Sequence, residues 1–408
     1  MMFNKIKFGE LYKICSRNGV SKPRKVRGSG YKMVNMGELF KYDRITNISM
    51  EKVPLTQGEI ERTLLEKNDL LFARQSLVAS GAGKCSIMLE VTEETTFESH
   101  LIRVRLDESR CNPMYYYYYF CSNISGMTSI VSQCAQAGIK GSDLEKLEVI
   151  YPKLEVQNKI VKILSAYDDL IENNLKRIKL LEESAELIYK EWFVNFRFSG
   201  YEKCEVVNGI PDKWKVGKVS DIAVLDSGYA FKSKDFQEQG NPIIKIKNIE
   251  NNSINTMDCD CVEKSIVEKL SKFKLECGDL LIAMTGATVG KIGIMPRIQK
   301  DYYLNQRVGR IKSKYDFDIA SYIFCLFNSD FISNSIINIA KGAAQPNIST
   351  AEIGNIEILL PEQKVLYDFE KSCSYLLKSR LNLIEQNEKL KEARDILLPK
   401  LIMGEIEV

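Results

Sequence analysis

A chain of 408 residues, 45% hydrophobic and 27% charged, has room for two or three domains that each bury a core. Its net charge of +3 and pI near 8.1 fall short of the basic footprint of a simple nucleic-acid binder, so charge alone does not argue for DNA. A single histidine, His100, argues against histidine-built zinc sites and His-based catalytic triads or dyads. It lies in the alternating stretch Glu98-Ser-His-Leu-Ile-Arg-Val104 and reads as a structural or surface residue. The eleven cysteines are scattered with no C-x-x-C pair, as expected of reduced thiols in a cytosolic protein. No signal-peptide pattern or membrane-length apolar run is present, so a cytoplasmic protein is expected, with no metal site and no cofactor.

In chain order, residues 1–157 read as a globular α+β stretch of short alternating strands and Gly/Asn turns, with one apolar helix near Pro113–Ser122. Next comes a long helix, about Asn158 to Phe193, within a spacer spanning 158–199. Ile160, Leu164, Tyr167, Ile171, Asn174, Ile178, Leu181, Ala185, Ile188 and Trp192 fall at alternating four- and three-residue steps. That heptad seam buries one helical stripe against another long helix. Phe198-Ser-Gly-Tyr201 to Gly209-Ile-Pro211 supplies the Gly, Ser and Pro of an exposed boundary. A second α+β stretch fills 200–361, with its apolar helix near Asp318–Asn328. A closing helix in 362–408 keeps the same register through Leu366, Phe369, Cys373, Leu376, Leu383, Asn387, Leu390, Leu397 and Leu401, interrupted by Arg380 and Arg394.

The halves match in order, at an offset a little above two hundred residues. Lys32–Met36 corresponds to Lys245–Ile249, Asn68-Asp-Leu-Leu-Phe-Ala73 to Gly278-Asp-Leu-Leu-Ile-Ala283, and Gly83-Lys84 to Gly290-Lys291. Tyr116 corresponds to Tyr322, Gln136–Ile139 to Gln345–Ile348, and Leu147–Pro152 to Ile356–Pro361. The expected architecture is therefore a tandem duplication of globular domain, proline and long helix. If the helices pair antiparallel with centred seams, Asn174 faces Asn387, a polar pair that fixes register at some expense of stability.

At this point the chain resembles the specificity subunit of type I restriction–modification systems. The residues that carry the resemblance are Met284–Gly293 after Gly-Asp-Leu-Leu, Gly342-Ala-Ala-Gln-Pro-Asn-Ile-Ser349, and the ending Leu397-Leu-Pro-Lys-Leu-Ile-Met-Gly-Glu-Ile406. Ile188–Phe196 and Gly209-Ile-Pro-Asp-Lys-Trp214 add to it. The first domain departs most, with Gly138-Ile-Lys140 where the second has Pro346-Asn-Ile348. The resemblance implies two target-recognition domains, each reading one half of a bipartite double-stranded DNA target. It also implies two antiparallel spacer helices that set the gap and dock methyltransferase subunits, two of them, with ATP-driven restriction (endonuclease) subunits recruited to the assembly. The chain itself is then not an enzyme. A helix of about 35 residues is roughly 50 Å long, against roughly 3.4 Å per base pair of DNA. Two other readings stay open. One is a free-standing enzyme acting on DNA, against which the absence of P-loop, methyltransferase and nuclease motifs weighs; the other is a coiled-coil adaptor with no DNA role, which the modest charge allows.

Three motifs have plainer explanations. Gly286-Ala-Thr-Val-Gly-Lys291 is one residue short of a P-loop and has Ile292 where Ser or Thr is needed, so it reads as a hairpin turn. Asn112-Pro-Met-Tyr115 lacks the second proline of the adenine-methyltransferase motif, and Asn-Pro opening a helix accounts for it. The run Tyr115–Tyr119 suggests base stacking, but its counterpart is a mostly apolar helix, so it reads as core packing with one exposed face. Candidate DNA contacts are residue types suited to phosphates and base edges in loop-like stretches. They are Arg24, Lys25, Arg27, Arg74 and Gln75 in the first domain. In the second they are Lys232, Lys234, Thr285, Thr288, Lys291, Asn305, Gln306, Arg307 and Gln345.

Overall fold

The computed structural model describes residues 3–76, 81–133, 137–297, 300–341 and 346–408. It divides into two compact units, Met1–Ile171 with Leu390–Val408 and Glu172–Lys389.

In the first unit a mixed sheet runs in the order Tyr12–Asn18, Leu101–Leu106, Leu70–Ala73, Cys85–Met88, Arg44–Ile45, its last pair parallel and the others antiparallel. Leu70–Ala73 is apolar and buried throughout because both faces of the sheet are covered. Leu70 and Phe72 join the cluster under the tyrosine helix, while Leu71 and Ala73 join a second cluster with Val34, Leu39 and Ile45. A smaller sheet sets Tyr31–Val34 between Glu51–Val53 and, in parallel, Thr95–Phe97. Asn4–Lys7 pairs with Glu148–Tyr151, the strand that feeds the long helix. Asn112 caps the tyrosine helix Pro113–Cys121 by accepting from the Met114 amide at 2.9 Å, and all five tyrosines are buried.

The second unit repeats this order. Ala223–Ser227, Val308–Ser313, Leu280–Ala283, Ile292–Ile294 and Asn252–Ile254 lie side by side, the last pair again parallel, with Ile249–Glu250 added at the edge. Leu280 and Ile282 face one cluster, Leu281 and Ala283 another. Asn241–Ile244 lies parallel to Tyr303–Leu304, and Lys215–Lys218 pairs with Glu357–Leu360. The apolar helix Ala320–Asn328 is followed after Ser329 by a further helix, Asp330–Ala340, for which the sequence reading had no element. The expected exposed boundary is partly core: Phe198 is buried and stacks on Trp214 at 5.4 Å. The Gly and Pro residues beyond it form a small hairpin, Val206–Val207 with Ile210–Pro211.

The first long helix runs Leu154–Tyr189 and ends in a π-helical turn, Lys190–Val194. It starts ahead of the expected Asn158 because buried Gln157 ties down its first turn, donating to the Pro152 carbonyl and accepting from the Asn112 amide, both at 2.8 Å. The C-terminal helix spans Gln363–Met403. Within the first unit, Ile160 and Leu164 share a cluster with Leu398, Leu401 and Ile402, whereas Leu397, assigned to the seam, is only half-buried. Tyr167 and Leu390 are likewise half-buried. Beside Tyr167, Asp168 is buried, accepting from Tyr118 Oη at 2.7 Å and from Arg394 Nη1 at 2.6 Å. The Arg394 interruption of the apolar pattern is thus one end of an ion pair.

Within the second unit Asn174 Nδ2 donates to Asn387 Oδ1 at 2.9 Å, and the two side chains are 1% and 5% exposed. Ala185, Phe193, Phe369, Leu376 and Leu383 are buried, while Ile178, Leu181, Ile188 and Trp192 are half-buried. Arg380, the other interruption, is 2% exposed. Its Nε donates to Glu182 at 2.5 Å, its Nη2 to the Asn252 carbonyl at 2.7 Å, and its guanidinium lies over the Phe324 ring. Asn251 and Asn252, at left-handed φ of +50 and +57, form the two-residue turn that joins Glu250 to its partner Ser253, and both of their carbonyls accept from Arg380.

Removing Glu182 strands a buried cation. Glu182→Ala should therefore lower stability by about 3 kcal/mol, measured by denaturant or thermal unfolding, and the double change Glu182→Met/Arg380→Met should recover much of it. A second test concerns Glu370, which accepts from the Ser321 amide and hydroxyl in the buried end of the same helix. Burial pushes its carboxyl up to about 7, against the opposing pull of Ser321. The folded state thus holds the proton more tightly than the unfolded chain. Its contribution is complete below about pH 4.5 and is lost as pH rises through about 7. Glu370→Gln, which stays neutral, should melt with the parent near pH 4.5 and above it at pH 8.

Candidate nucleic-acid interface

At one end of the central strands of the second unit, several backbone segments converge. After Leu280–Ala283 the chain turns through a short 3-10 segment, Gly286–Thr288, and returns antiparallel as Ile292–Ile294. A hairpin, with no helix after the glycines, cannot cradle phosphates as a P-loop does, in agreement with the plainer reading. The Met284 amide donates to the Arg307 carbonyl at 3.0 Å, the Ile348 amide to the Met284 carbonyl at 2.9 Å, and Thr285 bridges Asn347. The Gln306 amide donates to the Tyr229 carbonyl at 2.9 Å. Gly228 permits this crossing, since a Cβ there would stand 2.3 Å from the carbonyl oxygens of Leu304 and Asn305.

The rim so formed gathers Thr285, Thr288, Lys291, Gln306 and Arg307. Lys291, Gln306 and Arg307 are exposed. Lys232 and Lys234 follow on an exposed turn after Phe231, whose amide donates to the Tyr229 carbonyl. Asn305 behaves differently: it is buried, and its Oδ1 accepts from the Arg307 amide at 3.2 Å, shaping the turn from inside. Thr288 is half-buried with its hydroxyl enclosed. Gln345 lies outside the described residues.

The first unit builds the same rim from different side chains. The Arg74 amide donates to the His100 carbonyl at 2.7 Å and the Ile139 amide to the Arg74 carbonyl at 2.9 Å. Gln75 pairs with Gly138, and the Ser99 amide donates to the Val20 carbonyl at 2.9 Å. Gly19 takes the place of Gly228, its Cβ position 1.9 Å from the Phe97 oxygen. Arg74 and Gln75 are half-buried in this framework, and Arg74 Nη1 donates to the Ser99 carbonyl at 3.4 Å. Lys84, the counterpart of Lys291, is tied to Asp43 at 3.0 Å. Arg24 and Lys25 sit on an exposed 3-10 turn, while Arg27 is held by Glu51 at 2.7 Å.

The pairing corrects one detail of the sequence alignment. The Glu98 amide bonds the Val34 carbonyl where the Asn305 amide bonds that of Ile244, so Asn35 corresponds to Lys245 and the Lys32–Lys245 match slips by three. It also brings forward His100, read from the sequence as a structural or surface residue. His100 is exposed and occupies the position of Arg307. Residue type hid this, because histidine and arginine do not align by chemistry; only the hydrogen-bond ladder equates them.

Among the described residues no single helix is long and apolar enough to cross a membrane. The type I restriction modification DNA specificity domain matches the chain twice, over residues 3–183 and 211–386. The specificity subunit of type I restriction enzyme MjaVIII from Methanocaldococcus jannaschii is 27% identical, the alignment covering 88% of this chain and 84% of that protein. The MjaIX specificity subunit of the same organism is 29% identical over 66% of this chain and 63% of that protein. The fold is that of the type I restriction–modification S subunit of M. genitalium, whose crystal structure aligns with a TM-score of 0.58 at 15% identity, over 98% of this chain and 96% of that one. Two tandem matches that together span most of its length place the chain in the family of type I restriction–modification DNA specificity subunits.

Proposed function

We propose that this chain directs a type I restriction–modification complex to a bipartite DNA sequence and does no chemistry itself. The recognition domains are residues 1–157 and 200–361, copies of one ancestral unit, each reading one half-site with its rim. The segments 158–199 and 362–408 form an antiparallel coiled-coil spacer. The observation that carries this reading is the pair of rims: one backbone ladder, bond for bond, bearing unlike exposed side chains. Such a scaffold suits two different sequences, since phosphate contacts position a protein and base contacts specify its target. A coiled-coil adaptor would have no use for that divergence.

Two methyltransferase subunits would dock on the outer faces of the helices, with the restriction subunits joining the assembly. Leu175, Leu180 and Leu187 on the first helix and Tyr367 and Tyr375 on the second are each more than half exposed, an apolar surface that a lone chain does not need. Methyl transfer, DNA translocation and cleavage belong to those partners.

Single-molecule methylation sequencing of the host genome, with this gene intact and deleted, tests the proposal. One bipartite N6-methyladenine motif should vanish on deletion. An unchanged methylome, together with failure to co-purify a methyltransferase subunit, would refute it. The Asn174–Asn387 pair gives a sharper test of the spacer. Asn174→Leu/Asn387→Leu removes a buried polar pair from an apolar seam, so the protein should melt higher while the gap between half-sites becomes less strictly kept. A spacer preference as strict as the parent's would show that the asparagines do not set register.

A further inference from the structure

Resting on the DNA-reading function above, we propose that His100 and Arg307 are one recognition position in two copies, each reading a guanine edge in its own half-site. The equivalence comes from the backbone. The Leu101 amide closes onto the Glu98 carbonyl at 3.0 Å, as the Val308 amide closes onto that of Asn305 at 2.9 Å. The carbonyls of His100 and Arg307 each accept the amide of the residue leaving the neighbouring central strand, Arg74 and Met284. Ala73 and Lys84 exchange the same bond as Ala283 and Lys291, both at 2.8 Å. Both side chains therefore leave the third residue of the same turn, and both are exposed. Their carbonyls are committed to the framework, so the exposed side chains are what the position leaves free to vary.

The chemistry of the two side chains is related but unequal. An arginine fork donates twice, to guanine O6 and N7 in the major groove, and such a pair gives about 1–3 kcal/mol of discrimination. An imidazole offers one donor to the same acceptors. His100 Nδ1 lies 3.6 Å from a Glu98 carboxylate oxygen, and Glu98 is itself anchored by the Met36 amide. With Nδ1 turned to Glu98, Nε2 is the edge presented outward. At Arg307 the underlying residue is Asn305, which shapes the turn and brings no opposing charge. The first half-site should thus depend on its guanine less strictly than the second.

The test uses the complete complex. The chain is co-expressed with its methyltransferase subunits, and methylation is sequenced across a plasmid library randomised in both half-sites. His100→Ala should relax one base of one half-site about fivefold or more, leaving the other half-site and the spacer unchanged. Arg307→Ala should relax one base of the opposite half-site by a larger factor, and His100→Arg should keep the requirement at the base that His100→Ala frees. Parent-like motifs in both alanine variants would overturn the proposal. So would loss of all methylation by a variant whose melting temperature is unchanged. A parent complex that writes no bipartite motif would sink the functional reading itself, and this inference with it.

Discussion

A stripe of apolar side chains at heptad spacing cannot remain in water along a helix of 36 residues, and everything else in this chain is arranged around covering it. In each unit the stripe is covered by the C-terminal helix. Ile160 and Leu164 meet Leu398 and Leu401 in one, and Ala185 and Phe193 meet Leu376 and Phe369 in the other. Apolar contact alone specifies burial but not register, because leucines slide past one another at little expense. The polar groups supply what leucine lacks. Asp168 with Arg394, Asn174 with Asn387, and Glu182 with Arg380 can each bond in only one alignment.

Those polar groups also hold the globular parts. Asp168 takes the Tyr118 hydroxyl from the tyrosine helix and stands beside Arg44 at the edge of the central sheet. Arg380 donates to the carbonyls of the left-handed Asn251–Asn252 turn, which leads into the corresponding parallel strand of its own unit. The charge comes from the first helix in one case and from the second in the other, yet it acts on the same place in the sheet order. The domain is fastened where the parallel strand of its central sheet begins.

Much of this was legible in the sequence because its signals are periodic. The Asn174–Asn387 register follows from spacing, which survives whatever the tertiary context, although Tyr167, Ile178, Leu181 and Ile188 on the same stripe are only half-buried. The core role of the tyrosine run came from its apolar counterpart helix, but in place of one exposed face all five tyrosines are buried. Leu397 packs half-buried against the core that Leu398 and Ile402 enter fully, because neighbouring leucines near a helix end leave periodicity ambiguous by one residue. Arg380 and Arg394 were read as interruptions; their partners Glu182 and Asp168 carry no local mark that separates them from the many exposed carboxylates nearby. The further helix Asp330–Ala340 went unread because it follows its neighbour after a single Ser329. Asn305 was nominated for its chemistry, and only the fold shows that it is buried with its Oδ1 accepting within its own turn.

The rim shows why a candidate site of this kind resists sequence reading. Its construction lies in backbone amides and carbonyls, which every residue possesses, and in two glycines, Gly19 and Gly228, where chains cross too closely for a Cβ. Such a framework places almost no demand on the side chains that project from it. Freedom of sequence at fixed geometry is what a reader of changeable targets requires. The same freedom removes the similarity by which His100 and Arg307 could have been matched. The ladder of bonds preserves the position while leaving its chemistry open, so the exposed residues of the rim are those on which the fold depends least.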